Sequence, residues 1–287
     1  MSAIQGVSRG IAIVTGGTKG IGRSVCFQLA ALGYDVIAAS RDEAAGAEVS
    51  IEAERRSLAI SYKKLDLASL DSVASFSKQI PAWNVLVNNA GIKIEQNSSP
   101  TRDGFERHMQ INHLGHFLLT AKLWPAAATN ASVVSVSSIV ANRIVDPLLP
   151  VRYKQVGRYD PAEHYANSKF LNLAFAAALD QRTRKSGVTS TAAAPGFTRA
   201  EPYGPRYVRH VEKLFAQSCD YGALPITTAA LTKRAAYWVP KYFQLWGQGK
   251  AIQFPRILTG EVLDKIWDAS EEALGISFDP VQGPATS

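Results

Sequence analysis

A tyrosine and a lysine lie four positions apart in a helical pattern, as Tyr165 and Lys169 of the run Tyr-Ala-Asn-Ser-Lys. Side chains at this spacing share one face of a helix. A free phenol has a pKa of about 10, and lowering it by roughly three units requires about 4 kcal/mol of preference for the phenolate. A fixed ammonium beside the phenol supplies part of that preference. The pair therefore predicts a proton donor that works near neutral pH, although the same spacing also occurs on many ordinary helix surfaces.

A glycine-rich turn near the start of the chain separates an apolar strand from a helical pattern. Its spacing is T-G-x-x-x-G-x-G, in which the glycines permit a tight turn and a close approach of the backbone to a ligand. Amide groups at the start of the following helix would face a pyrophosphate, whereas the alternative is a plain tight turn. Together with the tyrosine–lysine pair, the turn predicts hydride transfer coupled to proton transfer. The residues expected to contact a dinucleotide here are Gly16, Thr18, Lys19, Gly20, Ile21 and Gly22.

The end of the second predicted strand indicates which dinucleotide is bound. An NAD site usually places an acidic residue there to accept hydrogen bonds from the ribose hydroxyls. Here the strand ends in Ser40 and Arg41, and Lys19 lies within the glycine turn. Two cations near the ribose favour a bound 2′-phosphate, so we predict NADP(H) as the cofactor. The alternative is that both cations face solvent, with Asp42 or Glu43 pairing with Arg41.

Short apolar runs alternate with helical patterns along the chain. Strands are predicted at 11–14, 36–39, 85–87 and 133–136, and a helix over 22–32 that Gly33 ends. This alternation indicates an α/β fold with a parallel, doubly wound sheet and helices on both faces. We expect one domain over residues 1–278 and a C-terminal tail over 279–287. Two polar stretches rich in Pro and Gly, 142–163 and 198–222, are predicted to be long loops, which in a compact domain are usually either functional or disordered.

Composition narrows the class of protein. The chain has 287 residues, a net charge of +7, and two cysteines that are far apart and in no metal-binding or redox spacing. We therefore expect no metal site, a reducing compartment and a cytoplasmic location, and no segment suggests a signal peptide or membrane helix. The basic residues are scattered without interleaved aromatics, so nucleic acid is not an expected partner.

The motifs follow one another in the order and spacing of a known family. The chain resembles the short-chain dehydrogenase/reductases, and in particular their retinol dehydrogenase-like and carbonyl reductase-like branch. This resemblance implies a Rossmann-type fold and an oxidoreductase. The motifs that carry it are the glycine turn, Asp66-Leu67, Asn88-Asn89-Ala90-Gly91, Asn112-His-Leu-Gly-His-Phe117, Ser137-Ser138, the Tyr165–Lys169 run, Pro195-Gly196 and the C-terminal helical pattern over 263–275.

The resemblance also implies roles for single residues. Ser138, rather than Ser135 or Ser137, would bind the substrate oxygen, and Asn112 would support a water that links Lys169 to solvent. Lys169 would also hold the nicotinamide ribose, while His113 and His116 are expected to pack or cap rather than act as bases. The other residues implied at the cofactor are Asp66, Leu67, Asn89, Ala90, Gly91, Pro195 and Gly196. The family's nicotinamide-contacting threonine is Ala200 here, and Thr198 is the candidate to replace it.

The sequence therefore predicts hydride transfer between NADP(H) and a carbonyl or alcohol of a mainly apolar small molecule. The alternative is a non-catalytic protein that binds and senses NADP(H). We also expect a monomer, because the inserted stretch 142–163 would cover the helix through which many relatives pair, although a homodimer stays open. The apolar residues expected to form the substrate pocket are Leu148, Leu149, Tyr153, Phe197, Tyr203, Tyr207, Phe215 and Tyr221.

Overall fold

A computed structural model describes residues 8–94, 96–154, 158–184, 186–199, 215–232, 234–242 and 244–280. Within them the strands form one sheet in the order β3-β2-β1-β4-β5-β6-β7-β8, and every neighbouring pair is parallel except β7 with β8. The strands are β1 (Ile11–Thr15), β2 (Asp35–Ser40), β3 (Ile60–Lys64), β4 (Trp83–Asn88), β5 (Ala127–Val136), β6 (Thr189–Ala193), β7 (Tyr237–Tyr242) and β8 (Trp246–Ile252).

Helices cover both faces of this sheet, as the strand–helix alternation predicts. The α-helices are α1 (Gly20–Ala31), α2 (Glu43–Arg55), α3 (Leu70–Ser77), α4 (Gly115–Leu123), α5 (Pro161–Thr183), α6 (Cys219–Leu231) and α7 (Gly260–Leu274). A π-helical turn (Met109–Leu114) leads directly into α4, and short 3-10 turns lie at Trp124–Ala126, Ile139–Arg143 and Leu149–Val151. The predicted α/β class and doubly wound sheet are confirmed.

The two hydrophobic cores follow from the alternation of side chains along each strand. In β1, Ile13 packs into the core beneath α3, α4, α5 and α7, whereas Ala12 and Val14 pack into the core beneath α1, α2 and α6. Because both faces are buried, each of these residues is fully excluded from solvent. The four predicted strands are confirmed within longer strands. The predicted helix over 22–32 is also confirmed, and it begins earlier, at Gly20.

The strand order reverses between β2 and β4, which lie on either side of β1. At such a switch point the chain leaves neighbouring strands in opposite directions, and a crevice opens beyond their carboxyl ends. The glycine turn lies at this point, because it joins the end of β1 to the start of α1.

The two predicted loops are partly wrong. The stretch 142–163 contains the 3-10 turn Leu149–Val151 and already includes the first turn of α5, which Asp160 caps by accepting hydrogen bonds from two backbone amides. The stretch 198–222 ends inside α6, because the Ser218 side chain caps a helix that begins at Cys219. Residues 155–157 and 200–214 lie outside the described residues.

The C-terminal segment packs onto the sheet side that carries α4 and α5. Phe278 stacks on Trp267 of α7 with ring centroids 5.2 Å apart, and Pro280 is buried. Residues 281–287 of the predicted tail lie outside the described part of the chain. Among the helices that the structure describes, none has the length and apolarity needed to span a lipid bilayer.

Candidate active site

The predicted site residues converge on one cleft of about 810 Å³ at the switch point of the sheet. Each residue that the sequence assigned to catalysis or to the cofactor lines this cleft, except Asn112, which supports its wall from behind. The predicted residues that line the cleft are Gly16, Thr18, Lys19, Gly20, Ile21, Gly22, Ser40, Arg41, Asp66, Leu67, Asn89, Ala90, Gly91, Ser138, Tyr165, Lys169, Pro195, Gly196 and Thr198.

The glycine turn is shaped so that only glycine fits at two of its positions. Gly16 has a φ of +64°, in the left-handed region that side chains rarely adopt. A Cβ atom on Gly22 would lie 2.3 Å from the carbonyl oxygen of Gly16, so the first turn of α1 packs directly on the preceding backbone. The N-terminus of α1 carries no acidic residue in its first turn. Its amide groups therefore favour an anion in the cleft.

Thr15 locks the ends of β1 and β4 together beneath this turn. Its Oγ1 accepts hydrogen bonds at 2.9 Å from the backbone amides of Asn89 and Ala90, and its carbonyl oxygen accepts one at 2.8 Å from Asn89 Nδ2. His116 Nε2 lies 2.8 Å from the same hydroxyl. Asn89 therefore fixes the backbone beneath the glycine turn. Ala90 and Gly91, which follow it, line the cleft.

Both predicted cations line the cleft at the end of β2, where the sequence predicts the ribose. Neither Asp42 nor Glu43 pairs with Arg41, which was the alternative. Lys19 Nζ pairs with Asp42 Oδ2 at 2.6 Å, and Glu43 pairs with Lys64 rather than with Arg41. The hydrogen bond from Lys19 lowers the pKa of Asp42 below its ordinary value. Arg41 is exposed and makes no ion pair with any residue that the structure describes.

Further residues close the end of the cleft beyond β2 and β3, where the family resemblance places the adenine. Thr18 Oγ1 donates to Ser40 Oγ at 2.9 Å, which joins the glycine turn to the end of β2. Asp66 lies beyond β3, and its Oδ1 accepts a hydrogen bond from the Ala68 amide at 3.0 Å, which fixes the carboxylate next to Leu67. Both Asp66 and Leu67 line the cleft, where the family resemblance places the adenine contacts.

Tyr165 and Lys169 lie on the first half of α5 and face the cleft. The Lys169 Nζ atom is 5.9 Å from the centroid of the Tyr165 ring and donates to the carbonyl oxygen of Val136 at 3.1 Å. Burial, with the charge of Lys93 nearby, lowers the pKa of Lys169 from 10.5 to about 8. The ammonium is therefore held at the end of β5, in a place where its proton is comparatively easy to release.

Asn112 joins three parts of the site from within the π-helical turn. Its Oδ1 accepts from the Ile92 amide at 2.8 Å, and its Nδ2 donates to the Ile92 carbonyl at 3.0 Å and to Ser168 Oγ at 2.9 Å. A Cβ atom on Gly91 would lie 2.9 Å from Asn112 Oδ1 and 3.3 Å from Lys169 Nζ. Asn112 thus acts as a scaffold behind Gly91, and its predicted water link to Lys169 stays a prediction.

The three serines at the end of β5 differ in how their hydroxyls are used. Ser137 is buried, and its hydroxyl donates to the Lys169 carbonyl at 2.7 Å. Ser135 is also buried and does not line the cleft. Ser138 is partly exposed in the cleft, and its hydroxyl has no hydrogen-bond partner among the described residues. This geometry favours Ser138 as the hydroxyl that meets a substrate.

The loop after β6 closes the part of the cleft where the family resemblance places the nicotinamide. Gly196 has a φ of +73°, and a Cβ atom there would lie 2.4 Å from the carbonyl oxygen of Leu245. Thr198 lines the cleft, but its hydroxyl donates to the Pro195 carbonyl at 2.8 Å. Whether Thr198 replaces the threonine missing at position 200 stays a prediction, because Ala200 lies outside the described residues.

The two family-motif histidines are buried in the scaffold, as expected for packing residues. Burial lowers the pKa of His113 to about 3 and that of His116 to about 4, so both rings are neutral at physiological pH. His113 Nε2 lies 3.0 Å from Ser270 Oγ on α7, and His116 bonds Thr15 and the Asn112 carbonyl. Neither ring lines the cleft.

The predicted apolar pocket is only partly correct. Phe197 lines the cleft, whereas Tyr153 is buried against α7, where its Oη lies 2.8 Å from Ser270 Oγ. Leu148, Leu149, Phe215 and Tyr221 do not line it, and Tyr203 and Tyr207 lie outside the described residues. Sequence reasoning missed the apolar wall formed instead by Ile92, Ile94, Ile139, Val140 and Leu245, because its members come from short segments without a periodic pattern.

Comparison with known proteins agrees with this geometry. The family model for short chain dehydrogenase matches residues 10–149. The polyprenol dehydrogenase of Mus musculus is 42% identical over 207 residues, and the match spans 67% of this chain but only 61% of that protein. Retinol dehydrogenase 12 of Homo sapiens is 30% identical over 292 residues, which span 94% of this chain and 87% of that protein.

A solved structure gives the same result at the level of the fold. The crystal structure of an uncharacterized protein from Mycobacterium Paratuberculosis is similar with a TM-score of 0.79 and 27% identity, covering 94% of this chain and 95% of that one. With a relative at 30% identity aligned over most of both chains, the protein belongs to the short-chain dehydrogenase/reductase family, in its retinol dehydrogenase-like branch.

Proposed function

We propose that the protein is an NADP(H)-dependent oxidoreductase that interconverts a carbonyl and an alcohol on a mainly apolar small molecule. The observation that carries this proposal is the meeting of Tyr165, Lys169 and Ser138 with the glycine turn in one cleft. The turn fits a dinucleotide, because Gly20, Ile21 and Gly22 at the start of α1 line the cleft, and the N-terminus of a helix favours a phosphate. When bound, the dihydronicotinamide supplies the hydride that reduces the carbonyl carbon.

The side chains of the chain itself supply the proton and the orientation. Ser138 and Tyr165 donate hydrogen bonds to the substrate oxygen, which orients the carbonyl and stabilises the negative charge that develops on it. Tyr165 then gives up its phenolic proton to that oxygen, so the product is an alcohol. The nearby Lys169 ammonium stabilises the phenolate that remains, which lowers the cost of this transfer. Oxidation of an alcohol follows the same steps in reverse.

The cations at the end of β2 support NADP(H) over NAD(H). Arg41 is exposed at the cleft and follows Ser40, where an NAD site would have an acidic side chain. Asp42, the next residue, is paired with Lys19 rather than with Arg41. Arg41 and Lys19 would therefore be the residues that hold a 2′-phosphate.

The apolar side chains that line the cleft together with Ser138 support an apolar substrate. They are Ile92, Ile94, Ile139, Val140, Phe197 and Leu245. The relatives named above are dehydrogenases of retinol and of polyprenol, which are apolar alcohols. Two further cations, Lys93 and Arg143, line the same cleft. A substrate with an acidic group therefore belongs in any test of activity.

The test is the oxidation of NADPH, followed by its absorbance, against a panel of neutral and acidic carbonyls and the reverse reaction with apolar alcohols. We expect turnover that NADPH supports better than NADH. NADPH binding without turnover of any compound in the panel would instead favour the non-catalytic sensor.

A further inference from the structure

A buried glutamate–histidine pair lies behind Tyr165, the proposed catalytic tyrosine. The His108 side chain is fully buried, and Glu106 is 2% exposed. The two side chains are 2.8 Å apart, from His108 Nδ1 to Glu106 Oε1. The other carboxylate oxygen of Glu106 accepts a hydrogen bond from the Met109 amide at 2.8 Å. None of the predicted site motifs included these two residues.

The hydrogen bonds of His108 define its charge. Its Nε2 lies 2.5 Å from the carbonyl oxygen of Lys93, which can only accept, so Nε2 carries a proton. Burial raises the pKa of Glu106, but hydrogen bonds from His108 and from the Met109 amide outweigh it and hold the pKa below its ordinary value. One carboxylate oxygen of Glu106 accepts from the Met109 amide, and the other faces Nδ1 of His108. Both ring nitrogens of His108 therefore face acceptors, an arrangement that suits an imidazolium.

The position of this ring links it to the chemistry. The centroid of the His108 ring lies 6.4 Å from that of the Tyr165 ring in an edge-on arrangement. The ring of His164, the neighbour of Tyr165, is stacked with the His108 ring at a centroid distance of 6.5 Å. His108 lies four residues before Asn112. Asn112 holds the backbone of Ile92, and His108 holds the carbonyl of Lys93, the next residue. Two side chains on one helical segment thus fix two consecutive residues of the cleft wall.

We propose that His108, held as a cation by Glu106, is a positioning residue that fixes the Ile92–Lys93 wall against Tyr165. The proposal rests on the proposed function, because it assigns His108 a role in the same proton-transfer site. It differs from a packing role, since the pair sets the position of a backbone carbonyl in the cleft that Tyr165 also lines. The titratable groups around the pair are Arg107 on its own segment, Lys93 from the wall, Tyr159 before α5, and His164 and Tyr165 on α5.

The first test reads the charge of the pair without any turnover. In ¹⁵N spectra of the full chain at neutral pH, His108 should show two protonated ring nitrogens, assigned by their loss in His108→Asn. Glu106→Gln should leave a neutral ring with one proton, because the glutamine amide can donate to Nδ1 while its oxygen still accepts from Met109. A neutral His108 ring in the wild type would overturn the ionic pair.

The second test measures how far the positioning by His108 affects kcat, with His113→Leu as the matched control. His113 is an equally buried imidazole on the same helical segment, but it bonds Ser270 away from the cleft. His108→Leu should lower kcat by about tenfold to a hundredfold, the scale of small misplacements in an active site, with the KM for NADPH nearly unchanged. His113→Leu should leave kcat within about threefold of the wild type, because its lost hydrogen bond does not touch the reacting geometry.

Conservative rescue completes the design. Glu106→Gln keeps the hydrogen bonds and should retain most of kcat, whereas Glu106→Ala should behave as His108→Leu does. If the leucine variant does not fold, His108→Asn serves instead, because its shorter side chain cannot span Glu106 and the Lys93 carbonyl. Equal losses in the His108 and His113 variants, or no loss in either His108 variant, would overturn the proposal. If the wild type turns over no carbonyl, the proposed function fails and the proposal of a positioning role fails with it, while the spectra still decide the charge of the pair.

Discussion

The Nζ atom of Lys169 donates a hydrogen bond to the carbonyl oxygen of Val136, the last residue of β5, at 3.1 Å. This bond ties the ammonium to the sheet edge where Ser137 and Ser138 follow. Because Ser137 in turn donates to the Lys169 carbonyl, strand and helix are bonded in both directions. The distance between Ser138 and Tyr165, which the substrate oxygen would bridge in the proposed reaction, is therefore set by the bonded end of β5 and α5.

Burial of Lys169 predicts a pH dependence of stability. Its pKa is about 8 in the folded chain and 10.5 in the ordinary state. Below pH 8 Lys169 is protonated in both the folded and the unfolded chain. Burial of its ammonium then lowers the free energy of unfolding by the full amount, roughly 3 kcal/mol. As the pH rises from 8 towards 10.5 the unfolded state binds more protons than the folded state, so the folded state gains stability. Denaturant unfolding should show Lys169→Met more stable than the wild type at pH 7, with the difference shrinking towards pH 10. A pH-independent difference would contradict the burial of the charge.

Arg41 is expected to select NADPH. Arg41→Ala should weaken NADPH binding about tenfold or more and leave NADH binding nearly unchanged, because a charge-assisted hydrogen bond contributes about 1.5–3 kcal/mol. Lys64→Ala is the control, since Lys64 is an exposed cation beyond the same sheet edge that pairs with Glu43 and does not line the cleft. Titration by fluorescence measures both affinities. Equal weakening of NADPH and NADH binding would contradict the assignment of Arg41 as the residue that selects NADPH.

Gly22 is expected to be intolerant of any side chain. In Gly22→Ala the new methyl group would lie 2.3 Å from the Gly16 carbonyl, so the turn must open. We expect a loss of about 1–3 kcal/mol in the free energy of unfolding and a clear loss of NADPH affinity. Gly260→Ala is the matched control, because it lies at the start of a helix with open space around it. Similar behaviour of the two variants would show that the turn is not closely packed.

The face of α5 that could pair with a second copy is covered within the chain. Residues 166–179 are all buried, and Trp267 of α7 packs on Phe175 with ring centroids 5.9 Å apart. Arg182 pairs with Asp264 at 2.7 Å and lies over the Trp267 ring. We therefore expect light scattering to give a mass near 31.0 kDa. Twice that mass, persisting on dilution, would show that pairing uses another surface.

Local patterns were sufficient to predict the sheet and the cofactor turn. Strands such as β1 are apolar on both faces, and the glycines of the turn follow a spacing that few other structures require. The family resemblance added Ser138, Asn89 and Asp66, whose positions depend on strand ends that the sequence alone does not align.

The parts that were missed depend on tertiary packing. Lys19 pairs with Asp42 only because the glycine turn and the end of β2 meet across the switch point. Tyr153 points into the core since α7, more than a hundred residues later, supplies Ser270. In the sequence Glu106 and His108 look like polar residues that face solvent, and their burial follows from the packing of the π-helical turn against α5.

The central claim is that Tyr165 supplies the proton, and Tyr165→Phe tests it most directly, because it removes one hydroxyl and leaves the ring. Steady-state turnover of a carbonyl with NADPH should fall at least about a hundredfold, the usual scale for general acid catalysis, while NADPH affinity stays near that of the wild type. A phenylalanine variant that binds NADPH and turns over at nearly the normal rate would show that the proton comes from another group.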